Sequence, residues 1–65
     1  MAMNEFQLEE SVKTKRDIPE LDLQQGSIGV IRSIWHMSVE AYEIEFITPH
    51  VRGLLMADQL ERLHD

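Results

Sequence analysis

The sequence predicts an all-β domain: four to five short strands forming a small antiparallel barrel or rolled sheet, with a 3-10 or α turn near the C-terminus. Three observations predict it. In "EAYEIEF" (40–46), Tyr42, Ile44 and Phe46 alternate with Ala41, Glu43 and Glu45, the period-2 pattern of a strand with one buried and one wet face. In "GSIGVI" (26–31) β-branched residues surround two glycines. Turn signals at Pro19, at "HMSV" (36–39) and at "TPH" (48–50) interrupt the chain at strand-length intervals.

Taken in order, the 65 residues read as one domain, with residues 1–7 as a flexible lead-in and Phe6 and Leu8 as candidate anchors. "SVKTK" (11–15) is a weakly alternating first strand. "RDIPELDLQQG" (16–26) is a long acidic loop: Pro19 removes an amide donor and biases Ile18 towards extended backbone. Its apolar Ile18, Leu21 and Leu23 are expected to tuck back onto the core. "SIGVIRSIW" (27–35) is the second strand. Gly26 and Gly29 supply positive φ and room for coiling; a phosphate-cradling loop would need a helix directly after them, and β-branched residues follow instead. "RGLLMA" (52–57) is a later strand, and Leu60 and Leu63 suit one helical turn with Asp58 as candidate N-cap. The expected core is Leu8, Val12, Ile18, Leu21, Leu23, Ile28, Val30, Ile34, Tyr42, Ile44, Phe46, Leu54, Met56, Leu60 and Leu63. That choice takes Ile28, Val30 and Ile34 as the inner parity and turns Ile31 and Trp35 outward.

A chain of this length buries only about 60% of the surface its unfolded form exposes, so its core is small. Hydrophobic content is 43% and there is no cysteine, so neither disulfides nor thiolate metal sites staple it. Twelve acids against six bases give a net charge of −6, a sign that opposes counterion-release binding to nucleic acid and favours a basic protein partner. The start "MAMNEFQLEE" is polar and acidic, and apolar runs fall well short of the roughly 20 residues of a membrane helix. No membrane association and a cytoplasmic location are expected.

"VKTKRDIPELDLQQGSIGVI" (12–31) followed by "EAYEIEF" (40–46) resembles a small bacterial family classed as a domain of unknown function. The likeness runs from about Leu8 to Leu63 and rests on Asp17, Pro19, Glu20, Leu23, Gly26 and Gly29 with Glu40 to Phe46. It implies an SH3-like barrel with a 3-10 turn before a last strand near "ERLHD". It transfers no catalytic residues, and it implies a pairwise protein partner. The chain departs from the family pattern at "WHMSV" and "TPHVRG", where glycines are usual. "GSIGVI" also looks like the glycine-bearing core of KOW-type barrels, some of which bind RNA.

The candidate chemistry is sparse. His36, His50 and His64 fall in two turns and the tail, with no spacing that gathers them on a metal. The serines lack a nucleophile elbow, so no catalysis, cofactor or metal is expected. Glu43 and Glu45 share a wet strand face, roughly 7 Å apart. Lys13, Lys15 and Arg16, with Arg32 from the next strand, are the only basic group, and surface ion pairing is their expected role. Trp35, if outward beside Ile31 and Met37, is an interface anchor; if covered by the N-terminal segment, it is core. The functional expectation is a non-catalytic protein-interaction module. It would hold a basic partner, or a second copy, through Trp35, Glu43, Glu45, Asp17 and Glu20. The alternative is a KOW-like nucleic-acid-binding barrel using the basic group.

Overall fold

The computed structural model describes residues 5–63. Five strands run β1 (Ser11–Thr14), β2 (Ile28–His36), β3 (Glu40–Phe46), β4 (Val51–Met56) and β5 (Leu60–Arg62). Two 3-10 turns, η1 (Pro19–Leu21) and η2 (Ala57–Gln59), interrupt them. All pairings are antiparallel, in one sheet of order β4-β3-β2-β1-β5. The all-β class, the five strands and the C-terminal 3-10 turn therefore stand as expected. The sheet is open: β4 and β5 are its two edges. Met56, not Asp58, caps η2, its amide donating to Gln59 Oε1 at 2.9 Å.

The core is Phe6, Val12, Ile18, Leu23, Ile31, Tyr42, Ile44, Phe46, Leu55 and Leu60. Fully burying a side chain of this size stabilises by roughly 1.5–3 kcal/mol over leaving it exposed. β3 obeys the alternation read from its sequence: Tyr42, Ile44 and Phe46 are buried and Glu43 and Glu45 are turned out. β2 does not. The register runs Gly29↔Phe46, Val30↔Glu45 and Ile31↔Ile44, then resumes at Ser33↔Glu43 and Ile34↔Tyr42. Arg32 is the extra residue of a β-bulge, and the inner parity shifts there. Ile31 is therefore buried, not outward, while Ile28 is exposed and Val30 only half-buried.

In β4 the inner row is Val51, Gly53 and Leu55, opposite Phe46, Ile44 and Tyr42. Leu54 and Met56, expected in the core, are exposed, as are Leu8 and Leu63. Phe6 takes the place expected of Leu8, meeting the Tyr42 ring edge-on at 5.5 Å between centroids, with the Arg62 guanidinium 5.3 Å over its own ring. The expected lead-in thus contributes to the core at Phe6; its residues 1–4 lie outside the described residues.

The acidic loop is folded back as predicted. Ile18 and Leu23 bridge one another and are buried, and Leu21 lies over Gly53, where an added Cβ would stand 2.4 Å from Leu21 Cδ1. Gly26 has φ +88, the left-handed backbone that the sequence assigned to glycine.

Candidate functional site

The outer face of β2, β3 and β4 divides into two halves. Trp35, Ala41 and Met56 lie side by side across the three strands, so they share one row of the outer surface. Leu54 is in the next row, opposite Glu43, and Met37 and Val39 come from the β2–β3 turn. Trp35, Met37, Val39, Leu54 and Met56 are 40–58% exposed, whereas Ala41 between them is 1% exposed. Trp35 is therefore outward, and the N-terminal segment covers Tyr42 instead. The end of this row opens into a groove of about 460 Å³ lined by Glu5, Val39, Glu40, Tyr42, Met56 and Asp58. The Tyr42 hydroxyl donates to Glu40 Oε1 at 2.9 Å; burial, then that carboxylate, raises its pKa.

The other half is ionic. Arg32 donates to Glu45 Oε1 at 3.0 Å and to Glu9 Oε1 at 2.7 Å. His50 Nε2 lies 2.8 Å from Glu45 Oε2, and Arg52 stands 3.5 Å from both Glu43 and Glu45. The His50 contact, then the Arg32 hydrogen bond, hold the Glu45 carboxyl well below its ordinary value, at about 2. Reciprocally, the hydrogen bond to Glu45, followed by the field of Glu9, raises the Arg32 pKa. Glu43 and Glu45 sit together on the wet face as the alternation predicts, but cations of the same chain already face them.

The acidic loop differs. No cation among the described residues lies within ion-pair distance of Asp17, Glu20 or Asp22. Asp17 fixes the loop from within, its Oδ1 accepting from the Gln25 amide at 2.8 Å. Glu20, the middle residue of η1, lies in a groove of about 290 Å³ shared with Ile18, Leu21, Leu54, Met56 and Gln59. Among the acids of the loop, Glu20 is thus the one that reaches Leu54 and Met56 of the apolar half. Asp17 lines a separate groove with Pro19, Asp22, Thr48 and Pro49.

The basic group is dispersed. Lys13 pairs with Glu61, Arg16 with Asp58, and Arg32 with Glu9 and Glu45. His36 Nδ1 is 3.1 Å from Glu40 Oε2, and His64 lies outside the described residues. Among the described residues no group of three or more acids and histidines is placed to hold a metal ion. No helix there is long and apolar enough to cross a membrane.

Leu54, Met56 and Val39 were not singled out as site residues. Arg52 was the available signal: a solvated arginine on β4 fixes positions 52, 54 and 56 as outward, because side chains two apart share a face. The chain matches no family model, and neither curated proteins nor solved structures give a significant match.

Proposed function

We propose that this chain is a non-catalytic, cytoplasmic protein-interaction module, an accessory or partner-neutralising subunit that holds a basic partner on the outer face of its sheet. The observation that carries this reading is the exposed group Trp35, Met37, Val39, Leu54 and Met56, set around Ala41 on a regular three-strand support. Contiguous exposed apolar surface marks interaction sites on small soluble proteins, and tryptophan and methionine are enriched in the interfaces that cover them. Glu20, with no described cation in ion-pair distance, lies at its margin, so a positively charged group on the partner complements it. Glu43 and Glu45 serve in this reading as holders of Arg52, Arg32 and His50, not as partner contacts.

The test is capture from the native host, identification of the bound protein, and titration of that purified protein against this chain. Trp35→Ala is expected to weaken the measured affinity by about tenfold or more, the loss typical of a central aromatic anchor. Unchanged affinity in Trp35→Ala, or sedimentation showing a dimer that buries Trp35 against a second copy, refutes the reading.

A further inference from the structure

β4 is one edge of the sheet, and the side it leaves unpaired can be identified. The Met56 amide bonds Gln59 Oε1 rather than Ala41 across the ladder, so Met56 turns its backbone groups away from β3. Hydrogen-bonded and non-bonded pairs alternate along an antiparallel ladder. Arg52 and Leu54 therefore present their amides and carbonyls on the same outward side, and no described group bonds either amide there.

The surroundings of this edge are largely apolar. Outside it, Leu54 and Met56 lead across Ala41 to Trp35. Along the edge itself runs the groove of about 290 Å³, in which Leu54 and Met56 meet Ile18, Leu21 and Glu20 of the loop and Gln59 of η2. Natural sheet edges are usually blunted by charge, proline or a bulge. The stretch "GLLM" (53–56) has none of these, and the Arg52 guanidinium is engaged by Glu43 and Glu45.

We infer that the free edge of β4 docks an extended, basic segment of the partner, which adds as a further strand beside Arg52 and Leu54. This rests on the reading above and specifies the form in which the partner binds. Alternate side chains of the added strand point towards Leu54 and Met56 in one direction and towards Leu21 and Glu20 in the other, along the groove that these four residues line. Charge selects the occupant. Glu20 has no described cation in ion-pair distance, and the chain carries −6. A second copy would bring another net charge of −6 against this one, whereas a lysine- or arginine-bearing strand is attracted to it.

The probe is a capped octapeptide of alternating lysine and valine, titrated into the isotope-labelled protein at low salt. A glutamate–valine peptide serves as charge control, and two lysine–valine peptides are N-methylated at alternate residues, one in each phase. The lysine–valine peptide is expected to shift the Arg52 and Leu54 amides and slow their exchange, and the glutamate peptide to leave them unmoved. At least one N-methylated phase is expected to bind about tenfold more weakly, because it lacks the donors that strand addition uses. In the protein, Leu54→Pro removes an outward amide where proline is tolerated, and is expected to bind about tenfold more weakly than Leu54→Ala.

Failure of the lysine–valine peptide to bind at millimolar concentration, undiminished binding of both methylated phases, or equal affinity of Leu54→Pro and Leu54→Ala overturns the inference. So do Arg52 and Leu54 shifts on simple dilution, which would assign the edge to a second copy. A native partner weakened by Trp35→Ala and indifferent to Leu54→Pro leaves the face reading intact and removes the edge alone.

Discussion

Gly29 faces Phe46 across the β2–β3 ladder with no room between them: a Cβ on Gly29 would stand 2.9 Å from Phe46 Cδ1, 2.6 Å from Ile44 Cγ2 and 2.9 Å from the Glu45 carbonyl oxygen. The backbone of β2 reaches this close to β3 because the inner face at position 29 holds a hydrogen. Gly29→Ala is expected to lose roughly 1–3 kcal/mol, the range for overpacking a filled core. Urea unfolding measures it. A neutral or stabilised variant would show that the contact relaxes freely.

Thr14 is buried, and its hydroxyl ties the end of the acidic loop to β1. Oγ1 accepts from the Gly26 amide at 3.0 Å and the Ser27 amide at 3.2 Å, and donates to the Gln24 carbonyl at 3.2 Å. Thr14→Val keeps the shape and removes all three. A loss of about 1–2 kcal/mol is expected, with faster hydrogen exchange concentrated at Gly26 and Ser27. A stability loss without that local change would place the effect elsewhere.

Phe6 and Leu8 are two residues apart and differ completely in environment. Phe6→Ala empties a site against Tyr42 and under Arg62, and is expected to cost about 3–5 kcal/mol. Leu8 is 57% exposed, so Leu8→Ala is expected to stay within about 0.5 kcal/mol of the parent. Thermal melts of the pair decide the point, and equal losses would refute the assignment of Phe6 as the N-terminal anchor.

The Glu45 carboxyl, held at about 2 by His50 and Arg32, gives acid stability a definite sign. A group whose folded pKa is depressed binds its proton more readily in the unfolded chain. Its contribution is present above the unfolded carboxylate value and fades as pH falls towards 2. Glu45→Gln is expected to be less stable than the parent near neutral pH, with the two urea midpoints converging in strong acid. A constant difference across that range would mean that Glu45 acts through shape rather than charge.

Much of this arrangement is legible in the residues, and the failures have physical causes. β3 was readable from Tyr42 to Phe46, where apolar and acidic residues alternate; Ala41, on the same parity as Glu43 and Glu45, is nonetheless buried. The loop was readable because Pro19 and the acids prevent regular structure throughout while Ile18, Leu21 and Leu23 need cover; the 3-10 turn at Pro19–Leu21 within it was not legible. β2 misled through its bulge: one inserted residue reverses parity, and Ile28, Val30 and Ile34 then appear to form a row that the strand does not keep. In β4, "LLM" is apolar on both parities, so alternation carries no signal there. Thr14 was missed because a buried hydroxyl is recognisable only once its three partners are in place. At the site, the residues left Trp35 open between an outward anchor and a side chain covered by the N-terminal segment, and the fold turns it outward. That Glu43 and Glu45 are answered by Arg52 and His50 depends on the β3–β4 register and a turn, neither of which composition reveals.

The bulge at Arg32 also sets where the chain tolerates a change in length. Excising residue 32 would leave Ile31↔Ile44 followed directly by Ser33↔Glu43 and Ile34↔Tyr42, an uninterrupted ladder with Trp35 still beside Ala41. What disappears is the arginine's grip on Glu9 and Glu45. β3 has no such slack, because a single deletion within Glu40–Phe46 would exchange its glutamates for its aromatic and aliphatic side chains on the buried face. Length variation among descendants of this chain should therefore collect at one position of β2 and be purged from β3.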